Sequence, residues 1–276
     1  MTHPTMLPLI FLFDMDHTIV GNCEWQVARY DLSRKLAQKH DVNKLKFELE
    51  NGLLRPHFES CFKLIRTKYP NAEIYVFTAA EKNWAHVMIT SIEKMLGIQF
   101  NRPIFSRENC VNEDGILKKH IGKLAPAIYR KLKTSYKLSH ISQLKKQIIL
   151  VDNNMVIGPH DSHRFVQCNS YVYAVPCDVF AAIPSTIMES NINNVLTVLR
   201  RYPLFSKLAL STDIFKLYAC YYTFLAEAYK QSSSSIQRAQ REKDVFWLLM
   251  ERIFRNHNVR SFNQKVVNYI NKNVSC

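Results

Sequence analysis

The stretch Leu9–Gly21, LIFLFDMDHTIVG, constrains the fold more than any other part of the chain. Five apolar residues, Leu9–Phe13, run directly into two aspartates one residue apart, Asp14 and Asp16. A run this short and uniformly apolar reads as a strand buried on both faces, as in a parallel sheet covered by helices. Two carboxylates at the end of such a strand repel each other and lose hydration. A fold that keeps them needs a compensating charge and a use for it.

Three more runs share this character: Ile74–Phe77, Ile148–Val151 and Tyr171–Val175. Between the runs lie helical patterns, roughly Arg55–Lys68, Glu81–Leu96 and Lys119–Lys133. Alternating strands and helices predict an α/β fold, a doubly wound parallel sheet with helices on both faces. Ligands in that architecture bind beyond the carboxyl ends of the strands, where Asp14, Thr78 and Asp152 fall. The stretch Asn22–Leu54 is polar and helix-prone, and reads as a small insertion after the first strand, a lid. From about Ser190 the strand signals stop, and DIFKLYACYYTFLAEAY and DVFWLLMERIF read as buried helices. The expected organisation is therefore a catalytic domain over 1–189, with its insertion at 22–54, and a helical extension over 190–276.

Composition narrows the class. Six glycines in 276 residues argue against a glycine-rich phosphate cradle as the main device. No stretch has the roughly 18 apolar residues of a membrane span. The opening MLPLIFLF lacks the basic start and cleavage site of a secretion signal. Seven scattered cysteines with no CxxC pair suit a reducing compartment better than a disulfide framework or structural zinc. These features predict an intracellular protein, cytoplasmic or nuclear, with no membrane partner. The net charge is +14, and Gly115–Val151 holds nine Lys/Arg and no acid. The basic stretch 118–146 is either a solvated helix face or a surface for an anionic partner, nucleic acid included.

Four motifs carry the chemistry. In Asp14-Met15-Asp16-His17-Thr18 the turning chain can bring both carboxylates around one Mg²⁺, which prefers oxygen ligands and takes few from the protein. Asp14 is then placed to attack phosphorus and form an aspartyl-phosphate. Asp16 is placed to protonate the leaving oxygen and later activate water. In EIYVFTAAEKNWA a buried strand ends at Thr78, whose hydroxyl suits phosphate oxygens or serves as a plain helix cap. GILKKHIGKLA offers Lys118, Lys119 and Lys123 to offset negative charge in the transition state. KQIILVDNN ends another strand in Asp152-Asn153, fit to complete a metal site and anchor that lysine.

Asp, Thr, Lys and Asp-Asn in this order resemble the haloacid-dehalogenase (HAD) superfamily of phosphohydrolases, with its Rossmann-like fold. Within it the chain is most similar to the NLI-interacting-factor-like phosphatases, the family of RNA polymerase II C-terminal-domain phosphatases. LLRPHFESCF, IFSRENCV and ILVDNN look like that family's segments, and the resemblance covers roughly Leu9 to Phe180. It implies Asp14 as nucleophile and metal ligand, and Asp16 as acid/base with its backbone carbonyl on Mg²⁺. It implies Thr78 as phosphate binder and Asn153 as metal ligand with Asp152 beside it. Lys119 fits the family spacing after Gly115, with Lys118 as fallback. The substrate implied is a phosphoserine or phosphothreonine protein such as an RNA polymerase tail. The chain departs from the family at Asn154-Met155, where Ser-Pro is usual, in the segment before Arg55, and in the tail.

Rival readings are a nucleic-acid end phosphatase, a free-phosphometabolite phosphatase, and an inactive scaffold that binds a phosphorylated partner. Cys23 and Arg29 have the spacing of cysteine-dependent phosphatases, but no glycine stands between them to form a backbone cradle. His160 and His163 are a metal pair or, more simply, part of a polar loop.

Overall fold

The computed structural model describes residues 7–38, 42–155, 157–181, 183–208 and 213–274. In chain order the regular elements are β1 (Ile10–Phe13), α1 (Glu24–Lys35), α2 (Val42–Glu48), α3 (Phe58–Lys68), β2 (Glu73–Val76), α4 (Lys82–Leu96), β3 (Val111–Glu113), β4 (Ile116–Lys118), α5 (Ile121–Leu132), β5 (Ile148–Asp152) and β6 (Phe165–Gln167). Helices follow: α6 (Ser185–Ser190), α7 (Ile192–Leu199), α8 (Ile214–Ser232), α9 (Ser235–Glu242), α10 (Phe246–Asn256) and α11 (Gln264–Val274). The chain divides into two compact units. One holds 1–19, 55–171 and 244–276, and the other holds 20–54 and 172–243.

In the first unit the sheet order is β2-β1-β5-β6, all parallel, with Phe13 level with Val76 on one side and Val151 on the other. The chain passes from β1 to β2 on one side and later crosses back to β5 on the other, so the switch point lies at the end of β1. This is the expected doubly wound parallel sheet.

Alternation across β1 sends its side chains to opposite faces. Ile10 and Leu12 join Ile148, Leu150, Leu124 and Ile128 in the core beneath α5. Phe11 and Phe13 face α3 and α10. The Phe13 ring lies 5.0 Å from Trp247 and 6.2 Å from Phe58, and Phe11 lies 5.4 Å from Phe254 and 5.2 Å from Phe262. All four β1 residues are fully buried, so α10 supplies one wall of the core.

The fourth strand is Phe165–Gln167, not Tyr171–Val175. Tyr171–Val175 is apolar in composition but not in setting, since Val172 is 64% exposed and Asn22 N–H donates to the Tyr173 carbonyl at 2.9 Å. The segment runs from one unit into the next rather than through a core.

In the second unit the insertion does not stand alone. Trp25, Leu32 and Leu36 of its first helix and the turn after it pack with Val195, Leu199, Phe205, Leu217 and Tyr221. The expected division after residue 189 therefore falls inside this unit, and 190–276 is shared between the two. Helix α8 buries only the Leu217, Tyr221 and Leu225 stripe and leaves Phe215, Tyr222 and Tyr229 exposed, so it is not the wholly buried helix expected. Among the described residues no helix is long and apolar enough to cross a membrane. Six of the seven cysteines are free, and Cys276 lies outside the described residues.

Replacing Phe254, which is fully buried, should show that α10 is core rather than appendage. Phe254→Ala is expected to cost about 3–5 kcal/mol, read by urea unfolding of the purified chain.

Candidate active site

The site forms where β1, β2 and β5 end. Asp14 extends the ladder, its N–H donating to the Val151 carbonyl at 2.9 Å. The chain then turns, with the Ile19 N–H on the Met15 carbonyl at 2.9 Å and His17 in the left-handed region at φ 59°. That conformation costs a non-glycine residue about 1–2 kcal/mol, so surrounding contacts must hold it. Tyr171 N–H donates to the His17 carbonyl at 2.9 Å, and the His17 ring Nδ1 lies 3.1 Å from the Tyr171 carbonyl.

Lys119 follows β4 directly and is held by a bridge to Ile157, with Gly158 N–H on its carbonyl at 3.0 Å. Its ammonium, almost fully buried, donates to Asp14 Oδ1 and, at 2.6 Å, to Asp152 Oδ2. Lys118 points elsewhere and pairs with Glu113 at 2.7 Å. Of the two candidate lysines, only Lys119 reaches the carboxylates. The other oxygen of Asp152 accepts from the Asn154 N–H at 2.8 Å, so both of its oxygens are engaged.

Thr18 links the pieces. Its hydroxyl lies 3.2 Å from Asp14 Oδ2, 3.2 Å from Asn153 Oδ1, and accepts from the Asn153 N–H at 3.1 Å. Thr18 had no expected role beyond its place in the motif pattern. Thr78 donates to Asp16 Oδ2 at 3.5 Å and accepts from the Ala80 N–H at 3.0 Å. Helix α4 starts only at Lys82, so Thr78 caps a turn before the helix rather than the helix itself. Hydrogen bonds thus join Asp14, Lys119, Asp152 and Asn153 through Lys119 and Thr18, while Asp16 and Thr78 form a separate bonded pair that acts on Asp14 and Lys119 through charge.

The electrostatics follow from burial. Desolvation pushes the Asp14, Asp16 and Asp152 carboxyls up, Asp152 to about 6, with the Lys119 ammonium pulling Asp14 and Asp152 back. The two carboxylates in turn hold Lys119 above its ordinary range, outweighing its own desolvation. Three carboxylates face one ammonium, which leaves the site short of positive charge.

The donors present fit Mg²⁺. Asp14 Oδ2 and Asn153 Oδ1 converge on the same hydroxyl, and all available donors are hard oxygens. Among the described residues no group of three or more His, Cys, Asp or Glu is arranged to hold a metal. A site that relies on carboxylate, amide and main-chain oxygens would not form such a group. His160 and His163 make no metal pair there either, since His163 Nε2 accepts from Arg164 at 3.0 Å.

The cysteine-phosphatase alternative fails on contacts. Arg29 is buried and paired with Glu48 at 2.5 and 2.9 Å, so its guanidinium is not available to a phosphate.

With this geometry the relatives can be placed. Residues 9–179 match the model of the NLI interacting factor-like phosphatases. The chain belongs to that family. It is a phosphoric monoester hydrolase of the protein phosphatase type. No curated protein is similar to the chain in sequence. Solved structures that are similar to the chain in shape include two of one enzyme. One is a variant of the fission yeast RNA polymerase II CTD phosphatase Fcp1 bound to beryllium fluoride, 14% identical, covering 86% of this chain and 67% of that one, TM-score 0.36. The other is Fcp1, an essential RNA polymerase II CTD phosphatase, 13% identical, covering 86% and 67%, TM-score 0.37. Neither likeness is close enough to bear weight, and the family match carries the assignment.

The two lysines give a sharp contrast. Lys119→Met is expected to lower turnover of p-nitrophenyl phosphate by about 10²–10³-fold, whereas Lys118→Met leaves it nearly unchanged.

Proposed function

We propose that this family member works through Asp14 as nucleophile, with Mg²⁺, on a phosphoserine or phosphothreonine of a protein substrate. The observation that carries the reading is the Lys119 ammonium set between Asp14 and Asp152 at the switch point of the sheet. Asp14, the backbone carbonyl of Asp16 and Asn153 would hold the metal, and Asp152 would stand beside it anchoring Lys119. When bound, the ion supplies positive charge to the phosphate oxygens. An Asp14 oxygen attacks phosphorus in line and the bond to the leaving oxygen breaks. Asp16 protonates that oxygen, a role favoured by the burial that keeps its carboxyl above the ordinary range. Asp16 then takes a proton from the water that cleaves the aspartyl-phosphate. Lys119 and the Thr78 hydroxyl stabilise the charge on the transferring phosphoryl group.

The first candidate substrate is the phosphorylated tail of an RNA polymerase, as the resemblance of the sequence segments implies. A nucleic-acid end phosphate is the second, favoured by one feature of the fold. The acid-free stretch 115–151 and a second acid-free stretch, 252–276 with five arginines and lysines, meet where Phe262 N–H donates to the Lys146 carbonyl at 2.6 Å. Together they hold as many positive charges as the whole net charge of +14. Exposed Lys123, Arg130, Lys133, Lys137, Lys145 and Lys146 line the first of them.

Turnover of p-nitrophenyl phosphate should vanish on chelation, return with Mg²⁺, and be abolished in Asp14→Asn. Turnover unaffected by either change would sink the mechanism. A panel of phosphoheptad peptides, end-phosphorylated oligonucleotides and sugar phosphates then separates the substrates. Faster turnover of the peptides is expected. A preference for oligonucleotides with affinity falling steeply in salt would install the second reading.

A further inference from the structure

Helix α10 lies beyond the matched family region, which ends at residue 179, yet one contact at its start reaches the loop of residues 14–19 directly and another reaches it through Arg55. The fully buried indole of Trp247 donates its Nε1–H to the Thr18 carbonyl at 3.1 Å. Asp244, just before the helix, accepts from Arg55 Nε at 2.9 and 3.1 Å. The Arg55 guanidinium is almost fully buried, lies 4.9 Å from the Phe246 ring, and turns Nη1 toward the carbonyls of Thr18 at 3.4 Å and His17 at 3.5 Å.

We propose that Trp247 and Asp244 are positioning residues for the catalytic loop, acting through the main chain of Thr18 and His17. The physical case rests on Thr18 being held from both ends. Its carbonyl receives Trp247 and Arg55, while its hydroxyl sits between Asp14 Oδ2 and Asn153 Oδ1. A shift of the carbonyl therefore moves the group that fixes the nucleophile. His17, next to it, is in a conformation that does not hold itself. A buried indole N–H needs an acceptor, and a buried guanidinium needs a carboxylate. Both needs are met here by groups that also fix the loop. Packing alone would have placed any large apolar residue at 247 and left Arg55 unpaired.

The inference rests on Asp14 being the nucleophile only for its kinetic consequence, so the test has two readouts in the full-length chain. Trp247→Phe keeps the aromatic packing and removes the donor; Asp244→Asn keeps the shape and removes the charge. Each is expected to lower kcat by about 3- to 10-fold, with KM nearly unchanged and folding intact by circular dichroism. Asp244→Glu should recover most of the loss. Amide hydrogen exchange should accelerate over residues 15–19 while β1 and β5 keep their protection. An unchanged kcat with unchanged loop exchange in Trp247→Phe overturns the proposal, as does a kcat loss that merely tracks the unfolded fraction. If Asp14→Asn leaves turnover intact, the mechanism fails, and the exchange contrast still decides whether α10 fixes the loop.

Discussion

Everything in the first unit depends on how buried carboxylates at a strand end are neutralised. Asp14 and Asp152 close adjacent parallel strands, and burial alone would drive both toward the protonated form. One ammonium, that of Lys119, lies between them. Removing one partner of such a buried group leaves an uncompensated charge at a cost of about 3–5 kcal/mol. The β3–β4 hairpin, which delivers Lys119, is thereby tied to the sheet by charge as well as by its backbone bridge to Ile157. With Asp16 counted, three carboxylates stand against one ammonium, a shortage of positive charge that the protein's own side chains at this place leave uncompensated.

The same cluster explains why the fold spends so many contacts on a short turn. Residues 14–19 must present two acids on a turn that is neither strand nor helix. They do so with a left-handed residue, a threonine bonded at both ends, and donors from Tyr171, Arg55 and Trp247. These donors come from distant parts of the chain. Precision in such a loop is a tertiary property, because local propensity would not select the conformation.

Much of this architecture was legible in the residue order. Three of the four expected strands formed almost as drawn, because uniformly apolar runs of that length have few other places to go. The fourth run misled for a physical reason. Apolar character at Tyr171–Val175 does not show whether the segment lies in a core or crosses between units, whereas Phe165–Gln167, with a polar residue in it, pairs with β5. Helix α8 misled in the same way, since a nearly all-apolar sequence can still bury one stripe only.

For the site, residue order alone singled out the polar side chains that stand at the strand ends. Asp14, Asp16, Thr78, the lysine pair and Asp152-Asn153 each follow an apolar run or lie between two. Tertiary structure alone decided which lysine reaches the carboxylates, because Lys118 and Lys119 are chemically identical and differ only in the face of the hairpin they occupy. It also decided that residues 244–274 belong to the core around the site. Asp244 and Trp247 lie far along the chain from Arg55 and Thr18, and no local pattern encodes a buried guanidinium's need for a carboxylate or an indole's need for a carbonyl. Those needs are met only once the chain has folded.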